Sequence, residues 1–284
     1  MQLSIITINY NNIEGLRRTI NSILSQTWRQ FEWIIVDGGS TDGSRELIEE
    51  TAALPDSNIT WWCSEKDKGV YNAMNKGIAH AQGQYLNFMN AGDYFCEPDT
   101  LQRVFEGKEY EADVVYGSHY RYDANGRVFI AAPDQVNISY ILGFGFNHQR
   151  CFIKRELLSE ESYDESYKIM SDSKHLIECL LKNCQFEMID IPICCFEATG
   201  ISSAQLELKR AEKVRLIKEV MPACLQQDCI YLMDNTAVDI YCPDIVELRR
   251  LLPLRRFNRR VIHLVIALLH LVERFYPTPQ QNKQ

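Results

Sequence analysis

Short runs of β-branched and apolar residues alternate with helix-like segments through the first ninety residues of the chain. In the helix-like segments apolar residues recur every three to four positions, which is the period of an α-helix. The predicted elements are strand 3–8, helix 13–26, strand 31–36, helix 44–51, strand 59–63, helix 69–82 and strand 85–89. Strands and helices that alternate in this order predict a parallel sheet built from right-handed crossovers.

The second half of the chain has shorter extended segments mixed with helices. The predicted elements are strands 113–117, 120–123, 128–132, 147–154, 186–191 and 194–197, and helices 171–182, 205–221 and 244–276. Asn125 and Gly126 have the composition of a hairpin turn. The whole pattern predicts an α/β fold: a Rossmann-like, mostly parallel first half, a mixed α+β second half and a helical C-terminal extension.

Composition and charge narrow the classes of function. The chain has 284 residues, of which 46% are hydrophobic and 24% charged, so it is long and apolar enough to bury a large core. Its net charge of −8 disfavours nucleic acid as a partner, because phosphate contacts need clustered positive charge. Residues 249–284 carry seven Arg and one Lys against Glu273, which leaves −15 for residues 1–248. The basic tail is therefore expected to have a separate role.

Ten cysteines are present, but their spacing does not suggest a disulfide framework. The chain has no CxxC pair, and Met1 leads directly into a predicted strand without a secretory leader. We therefore expect reduced cysteines in a cytoplasmic protein.

Polar clusters follow three of the predicted strands, at 9–12, 37–42 and 90–93. In open α/β sheets, ligands bind beyond the carboxyl ends of the strands, so these clusters form a candidate binding site. Asp37 is suited to accept hydrogen bonds from a ribose or a base, while the neighbouring glycines let a ligand approach the backbone. The alternative is a plain strand-to-helix turn in which Asp42 or Ser40 caps the next helix.

A second polar segment, 65–77, opens a predicted helix. Asn72, Asn75 and Lys76 lie within one helical turn, where they can donate hydrogen bonds to a diphosphate near the helix N-terminus. The alternative is a surface helix capped by Asp67. After the last parallel strand, Asp93 is placed to hold Mg²⁺ or Mn²⁺, although its four-residue segment taken alone would be a turn.

Taken together, five segments resemble the family 2 inverting glycosyltransferases, which have the GT-A fold. The segments are SIITINYN at 4–11, IVDGGSTDGS at 35–44, EKDKG at 65–69, NKG at 75–77 and LNFMNAGD at 86–93. The resemblance covers about residues 1–200. It implies a nucleotide-sugar donor, UDP-linked by preference, a divalent cation and transfer to an acceptor hydroxyl.

The resemblance also assigns residues to the donor site. It places Thr7, Asn9 and Asp37 at the nucleoside and Asp67 near the base and ribose. The family's usual acidic cluster has aspartates where this chain has Asn90 and Gly92, so Asp93 is the one remaining carboxylate for Mg²⁺ or Mn²⁺. Asn90 is then a donor-site residue, and donor phosphates and waters supply the other metal ligands.

An inverting transfer needs a base that removes the proton of the acceptor hydroxyl, a contribution of roughly 10²–10⁴-fold. The family places this base at the start of a helix after the metal segment, and Asp172 stands at that place. The alternative role for Asp172 is a helix N-cap. Asp164 and Glu165 are the nearest competitors for the base.

The resemblance further implies roles for two later segments. His148 and Gln149 match a His-Gln pair of the acceptor cleft, where they contact the diphosphate or the acceptor hydroxyl. Ser202 lies in segment 199–203, which matches a loop that closes over the diphosphate. A structural role is the alternative for the lone histidine.

In the segment 249–276, the apolar run 261–272 is preceded by six arginines, at 249, 250, 255, 256, 259 and 260. This run is too short to span a bilayer, which needs about 20 residues. A basic stretch beside an apolar helix suits the headgroup layer of an anionic membrane. The alternative is a helix that packs on the domain or on a second copy of the chain in a homodimer.

The sequence therefore predicts a metal-dependent inverting glycosyltransferase of polysaccharide biosynthesis that acts on a glycan or lipid-linked acceptor. The predicted organisation is a GT-A domain at 1–204, with a donor half at 1–93 and an acceptor half at 94–204, and the extension at 205–284. One alternative is an inactive sugar-nucleotide-binding scaffold, suggested by Asn90 and Gly92. Another is a sugar nucleotidyltransferase, which would need a glycine-rich loop after the first strand. The predicted location is the cytoplasm or the inner face of the cytoplasmic membrane.

Overall fold

The computed structural model describes residues 1–123, 126–197 and 205–241. The strands in these ranges are β1 Leu3–Asn9, β2 Phe31–Asp37, β3 Ile59–Ser64, β4 Tyr85–Phe88, β5 Tyr94–Phe95, β6 Val114–Asp123, β7 Gly126–Ile130, β8 Cys151–Lys154 and β9 Phe186–Glu197. The helices are α1 Ile13–Leu24, α2 Ser44–Ala52, α3 Val70–His80, α4 Thr100–Phe105, α5 Ile138–Phe144, α6 Arg155–Glu160, α7 Ser171–Leu181, α8 Leu206–Val220 and α9 Ala223–Tyr241. A short 3-10 turn, His148–Arg150, precedes β8.

All of the described strands join one sheet in the order β3-β2-β1-β4-β8-β6-β9-β5, with β7 paired to β6. The first four strands are parallel to one another. β8 is antiparallel to both β4 and β6, whereas β6 and β9 are parallel. The predicted α/β class, with a parallel first half and a mixed second half, is confirmed.

Helices cover both faces of this sheet. On one face, Leu3 and Trp33 pack in a core cluster with residues of α1, α2 and α4. On the other face, Ile6 and Ile34 pack in a second cluster with residues of α3, α7 and α8. Because successive side chains of a strand point to opposite faces, the nearly unbroken apolar runs of β1 and β2 are buried on both sides.

Strands β6 and β9 are longer than the sequence predicted. Breaks were expected after Gly117 and after Ile191, but each strand continues through the break. The pairing of β6 with β9 shifts register around Ser118, opposite Pro192. A side chain at Gly117 would overlap the carbonyl oxygen of Ile191, so glycine permits a close approach of the two strands here and does not end one of them.

The extension contains α8, which was predicted, and α9, which was not. Cys229 and Met233 of α9 are buried, and α9 packs against α5. The nine cysteines in the described part of the chain are all free. No helix within the described ranges is long and apolar enough to cross a membrane. Asn125, Ser202 and the basic segment 249–276 lie outside the described residues.

Candidate active site

The carboxyl ends of β1 and β2 bring Asn9 and Asp37 side by side. Both side chains are buried, and the Asn9 amide donates to the Asp37 carboxylate over 2.8 Å. Ser40 donates to the same carboxylate through its hydroxyl at 2.5 Å and its backbone N–H at 2.9 Å, and the Ser64 hydroxyl donates at 2.6 Å. Burial raises the pKa of Asp37, but these hydrogen bonds outweigh it and hold the pKa below its ordinary value. Asp37 is therefore an ionised, rigidly held carboxylate at neutral pH.

Two other predicted residues of the first two strand ends have structural partners. Thr7 is fully buried, and its hydroxyl accepts the Trp33 indole N–H at 3.0 Å. Thr7 therefore lies beneath the site, and its contact with a nucleoside stays a prediction. Asp42 accepts the backbone N–H groups of Ile13 and Ser44, the first residues of α1 and α2, at 2.8 and 3.1 Å. The N-cap residue of α2 is Gly43, so Asp42 holds the starts of both helices from one position further out.

Tyr10, Gly38 and Asp67 form a platform beside Asp37, in which Gly38 itself is buried. A Cβ atom at Gly38 would lie 3.1 Å from the Tyr10 ring and 3.1 Å from Asp67 Oδ2. Tyr10 is 68% exposed, although it directly follows a buried strand. Tyr10 was not among the predicted site residues. The sequence signal that could have identified it is an aromatic residue directly after a strand end. Its ring and the Asp67 carboxylate offer a planar surface and an acceptor to a ligand.

Lys76 of α3 binds two carboxylates at the edge of this platform. Its ammonium group lies 2.6 Å from Asp67 Oδ1 and 2.8 Å from Glu65 Oε1. Burial lowers the pKa of Lys76, but the two carboxylates outweigh it and raise the pKa above its ordinary value. Lys76 is thus a permanent cation beside Asp67.

Asn72 and Asn75 attach a distant segment to α3. The Asn72 amide donates to Glu165 Oε2 at 3.0 Å, and its oxygen accepts the Lys68 N–H at 3.2 Å. The Asn75 amide donates to the Tyr163 carbonyl and to Glu165 Oε1. The structure therefore places Asn72 in a docking contact, and its predicted role toward a diphosphate stays a prediction.

Asp93 is 8% exposed and lies just beyond β4. Gln149 Nε2 donates to Asp93 Oδ2 at 2.8 Å, and the Thr19 hydroxyl donates to the Asp93 carbonyl oxygen at 2.6 Å. No group of three or more acidic, histidine or cysteine side chains suited to a metal ion occurs among the residues that the structure describes. Asn90 Oδ1, in the same turn, is buried without a hydrogen-bond partner in that part of the chain. This orphan oxygen is of the hard type that Mg²⁺ and Mn²⁺ accept.

His148 connects the turn after β4 with the first turn of α7. The Asn90 amide Nδ2 lies 3.0 Å from His148 Nε2, and His148 Nδ1 lies 2.9 Å from Asp172 Oδ2. The contact at Nδ1 places an N–H of His148 to donate to the Asp172 carboxylate. The side chains of His148 and Asp172 are only 14% and 15% exposed.

Asp172 accepts two more hydrogen bonds, from the Tyr71 hydroxyl at 3.0 Å and from the Ser173 N–H at 2.8 Å. Burial raises the pKa of Asp172, but the hydrogen bond and charge of His148 and the other donors hold it below its ordinary value. The competing acids have other partners: Asp164 binds Lys174, and Glu165 binds the two asparagines of α3. Of the three, Asp172 is the acid joined to the His148 network.

The turn that carries His148 and Gln149 is fixed from below by two residues that sequence reasoning missed. The Asn87 amide donates to the carbonyl oxygens of Gln149 and Cys151 at 3.0 and 2.9 Å. Arg150 is fully buried, with its guanidinium 4.2 Å from the centre of the Phe146 ring. These contacts hold His148 and Gln149 in one orientation toward Asp172 and Asp93.

The geometry describes an α/β protein with polar side chains at the carboxyl ends of its first strands and a buried acid, Asp172, bound to His148. The comparisons with known proteins make this class specific. The chain belongs to glycosyl transferase family 2. The sequence model of that family matches residues 4–157, which is more than half of the length of this chain. The predicted family is confirmed.

Two similar proteins of known sequence are mycobacterial. An uncharacterised glycosyltransferase of Mycobacterium tuberculosis is 30% identical over 206 residues, which cover 71% of this chain and 77% of that protein. A PGL/p-HBAD biosynthesis glycosyltransferase of Mycobacterium bovis is 33% identical over 179 residues, or 62% of this chain and 68% of that protein. The chain is thus similar to glycosyltransferases over well beyond half of their length.

Solved structures share the fold. TarS 1–349 of S. aureus in complex with UDP-GlcNAc has a TM-score of 0.60 at 17% identity and covers 83% of this chain and 72% of that chain. The mannosyltransferase PcManGT of Pyrobaculum calidifontis, in complex with GDP-Man and Mn²⁺, has a TM-score of 0.60 at 15% identity over 97% and 87%. These likenesses confirm the GT-A fold.

Proposed function

We propose that the protein moves a sugar from a nucleotide diphosphate sugar to a hydroxyl of a glycan or lipid-linked acceptor in polysaccharide biosynthesis, with inversion at the sugar. One observation carries the proposal: the adjacent residues His148 and Gln149 bind Asp172 and Asp93, respectively. The proposed base and the proposed metal ligand therefore belong to one connected site. A transfer that attacks the sugar opposite the diphosphate needs these two groups close together.

For the donor, the platform of Tyr10, Gly38 and Asp67 suits a nucleobase, with Asp37 and Asn9 holding the strand ends beneath it. An exposed aromatic ring can stack on a base, and a carboxylate can accept from its N–H. The complexes of TarS with UDP-GlcNAc and of PcManGT with GDP-Man support a nucleotide sugar. We favour a UDP-sugar. Lys76 is the cation that we assign to the charge developing on the leaving diphosphate.

For the cofactor, we propose Mg²⁺ or Mn²⁺ held by Asp93. The donor set fits a hard cation, because it offers one carboxylate and the orphan oxygen of Asn90, and donor phosphates can complete it. Such an ion, when bound, neutralises charge on the diphosphate. PcManGT, which shares the fold, was solved with Mn²⁺.

For the chemistry, Asp172 accepts the proton of the acceptor hydroxyl as the acceptor oxygen bonds to the anomeric carbon and the nucleoside diphosphate leaves. Its lowered pKa keeps it ionised and ready to accept. His148 binds one oxygen of Asp172 and Tyr71 binds the other, so the two side chains orient the carboxylate and stabilise its charge. Ser202, outside the described residues, keeps its proposed role in closing over the diphosphate.

A donor screen tests the function. Purified protein is incubated with several UDP-sugars and GDP-mannose, with and without Mn²⁺, and released nucleoside diphosphate is measured. We expect release from one donor, stimulated by Mn²⁺ in wild type but not in Asp93→Asn. Asp172→Asn should slow transfer by roughly 10²–10⁴-fold while donor affinity is unchanged. If the protein binds UDP but releases none from any donor, the scaffold alternative is correct; pyrophosphate released from a nucleoside triphosphate would indicate a nucleotidyltransferase.

The remaining sequence predictions are kept as proposals. They are the division into 1–204 and 205–284, the cytoplasmic location, the membrane contact through 249–276 and the homodimer. Flotation of the full chain and of a chain ending at residue 248 with anionic liposomes tests the membrane contact. Equal flotation of the two would rule it out.

A further inference from the structure

The first turn of α7, which presents Asp172, is held by a side chain of the C-terminal extension. Glu212 of α8 is 7% exposed. Its Oε1 accepts the backbone N–H of Lys168 at 2.7 Å, and its Oε2 accepts those of Ile169 and Met170 at 2.9 and 3.1 Å. These three N–H groups immediately precede α7.

The bonding of Glu212 fits a helix N-terminus. Backbone N–H groups at the start of a helix have no partner within it, and the positive end of the helix dipole favours a negative charge. The residue at the N-cap position, Met170, has no side-chain oxygen and makes no side-chain cap. Glu212 does not replace that cap, because an N-cap side chain accepts from the second or third residue of a helix. It binds instead the three N–H groups that lead directly into α7, close to the positive end of the helix dipole.

Attaching one helix to another through a buried carboxylate carries a desolvation cost that apolar contacts do not have. Leu216 and Ile217 of α8 are fully buried in the core cluster of this face and already supply apolar contact. Removing a carboxylate from water costs free energy unless hydrogen bonds replace the lost hydration. The Glu212 carboxylate thus fixes one particular backbone segment, residues 168–170, which ends two residues before Asp172.

The other polar contacts of α8 in this region reach different atoms. Glu219 accepts from the Tyr167 hydroxyl at 2.8 Å, and Arg215 donates to the Ser166 hydroxyl and carbonyl. Those contacts dock α8 beside residues 166 and 167. Of the α8 side chains whose contacts the structure describes, Glu212 is the one that binds the three backbone N–H groups next to α7.

We propose that Glu212 is a positioning residue for Asp172. By fixing residues 168–170, it sets the first turn of α7 so that Asp172 meets His148 and Tyr71 at hydrogen-bonding distance. The C-terminal extension, which begins well beyond the residues 4–157 that match the family, is thereby part of the machinery that presents the base. This inference rests on the proposed role of Asp172.

The test compares Glu212→Gln with the matched control Glu219→Gln, two turns further along the same face of α8. Glu219 binds the Tyr167 hydroxyl and lies 3.7 Å from the Lys174 ammonium, but it binds none of the backbone N–H groups of residues 168–170. Glutamine keeps the size of Glu212 but replaces one acceptor oxygen with an NH₂ group that faces N–H donors. We expect amide hydrogen exchange in a peptide covering 168–173 to become about tenfold faster in Glu212→Gln and to stay unchanged in Glu219→Gln. UDP affinity, measured by calorimetry, should be the same in both variants and in wild type.

With the donor found in the screen, Glu212→Gln should lower kcat for nucleoside diphosphate release by roughly 10–100-fold without raising KM for the donor. Glu212→Asp, which keeps the charge but shortens the reach, should fall between Glu212→Gln and wild type, and it replaces Glu212→Gln if that variant does not fold. Unchanged exchange at 168–173, or equal losses of kcat in the Glu212 and Glu219 variants, would overturn the inference. If wild type and Asp172→Asn turn over equally, the proposed function has failed instead, and the exchange measurement still decides whether Glu212 fixes the turn.

Discussion

At the scale of single residues, the site is built from carboxylates whose oxygens are already hydrogen-bonded by the protein. Asp37 accepts four hydrogen bonds, and Asp172 accepts three. Such carboxylates are pre-organised, because their orientation is fixed before a ligand arrives and need not be paid for on binding. The opposite case is Tyr10, whose exposed ring is free to meet a base.

Asp37→Asn tests whether this pre-organisation matters. An asparagine offers a single acceptor oxygen, and its NH₂ group would face the donors Ser40 and Ser64. We expect the free energy of unfolding to fall by about 2–3 kcal/mol and the Kd for UDP to rise about tenfold. Urea denaturation and calorimetry with UDP measure the two effects.

The control for that change is Asp42→Asn, in the same loop. Asp42 accepts backbone N–H groups at the edge of the site, so its loss should cost about 1 kcal/mol and leave UDP binding near wild type. If both variants weaken UDP to the same extent, Asp37 has no special part in the donor site.

How far the site could be foreseen depends on distance along the chain. The clusters at Asn9, Asp37 and Asp93 were identified because strand ends of a parallel sheet share one edge, a rule that needs only local patterns. Asn72 was assigned to a diphosphate on its place in a helix, yet its partner Glu165 comes from a segment 93 residues away. No periodicity reports such a pairing, and the same holds for Glu212 and the turn before α7.

At the scale of elements, the packing of α3 on β1 depends on Gly77. A Cβ atom there would lie 2.5 Å from Cγ2 of Ile6, so the helix approaches the strand more closely than any other residue would allow. The distance between helix and strand also sets the positions of Tyr71 and Lys76 of the same helix, which bind Asp172 and Asp67.

Gly77→Ala should therefore destabilise the protein although alanine is the better helix former. Helix propensity alone would add about 1 kcal/mol of stability, whereas overpacking against Ile6 costs about 1–3 kcal/mol. Combining it with Ile6→Ala, which removes Cγ2, should reverse the sign, so that Gly77→Ala becomes stabilising in that background.

Urea denaturation of the four proteins in this double-mutant cycle gives the coupling energy. Ala79→Gly, at an exposed position of the same helix, measures the propensity term alone. Additive effects of the changes at residues 6 and 77 would show that the close approach carries no strain.

Elements that the sequence mispredicted were those shaped by their neighbours. The predicted strands end at Gly117 and at Ile191, next to Pro192. In the structure Ser118, the residue after Gly117, lies opposite Pro192 at the register shift between β6 and β9, where each strand accommodates the irregularity of the other. A pattern along one strand cannot show that its partner has a matching irregularity.

At the scale of the whole molecule, the packing around β6 and α7 excludes water from two histidines. His119 of β6 and His175 of α7 are 6% and 4% exposed. Burial, together with the charges of Arg150 and Arg121, lowers the pKa of His119 to about 3. Burial, with Lys182 adding to it and Glu161 opposing it, lowers the pKa of His175 to about 4. Both side chains are neutral in the folded protein at any pH where it is expected to work.

This burial links the stability of the fold to pH. An unfolded histidine takes up a proton below about pH 6.5, while the folded protein excludes it until the pH approaches 4, so the unfolded state binds more protons in between. The free energy of unfolding should therefore be highest above pH 6.5 and fall on acidification, by up to about 1.4 kcal/mol per pH unit for each histidine. His175→Gln removes one of these terms, and between pH 7 and pH 5 it should lose about 2 kcal/mol less than wild type does. Urea denaturation at the two pH values measures the difference. If both proteins lose the same free energy of unfolding, His175 is protonated in the folded state at pH 5. Water would then reach α7 more readily than the burial of His175 indicates.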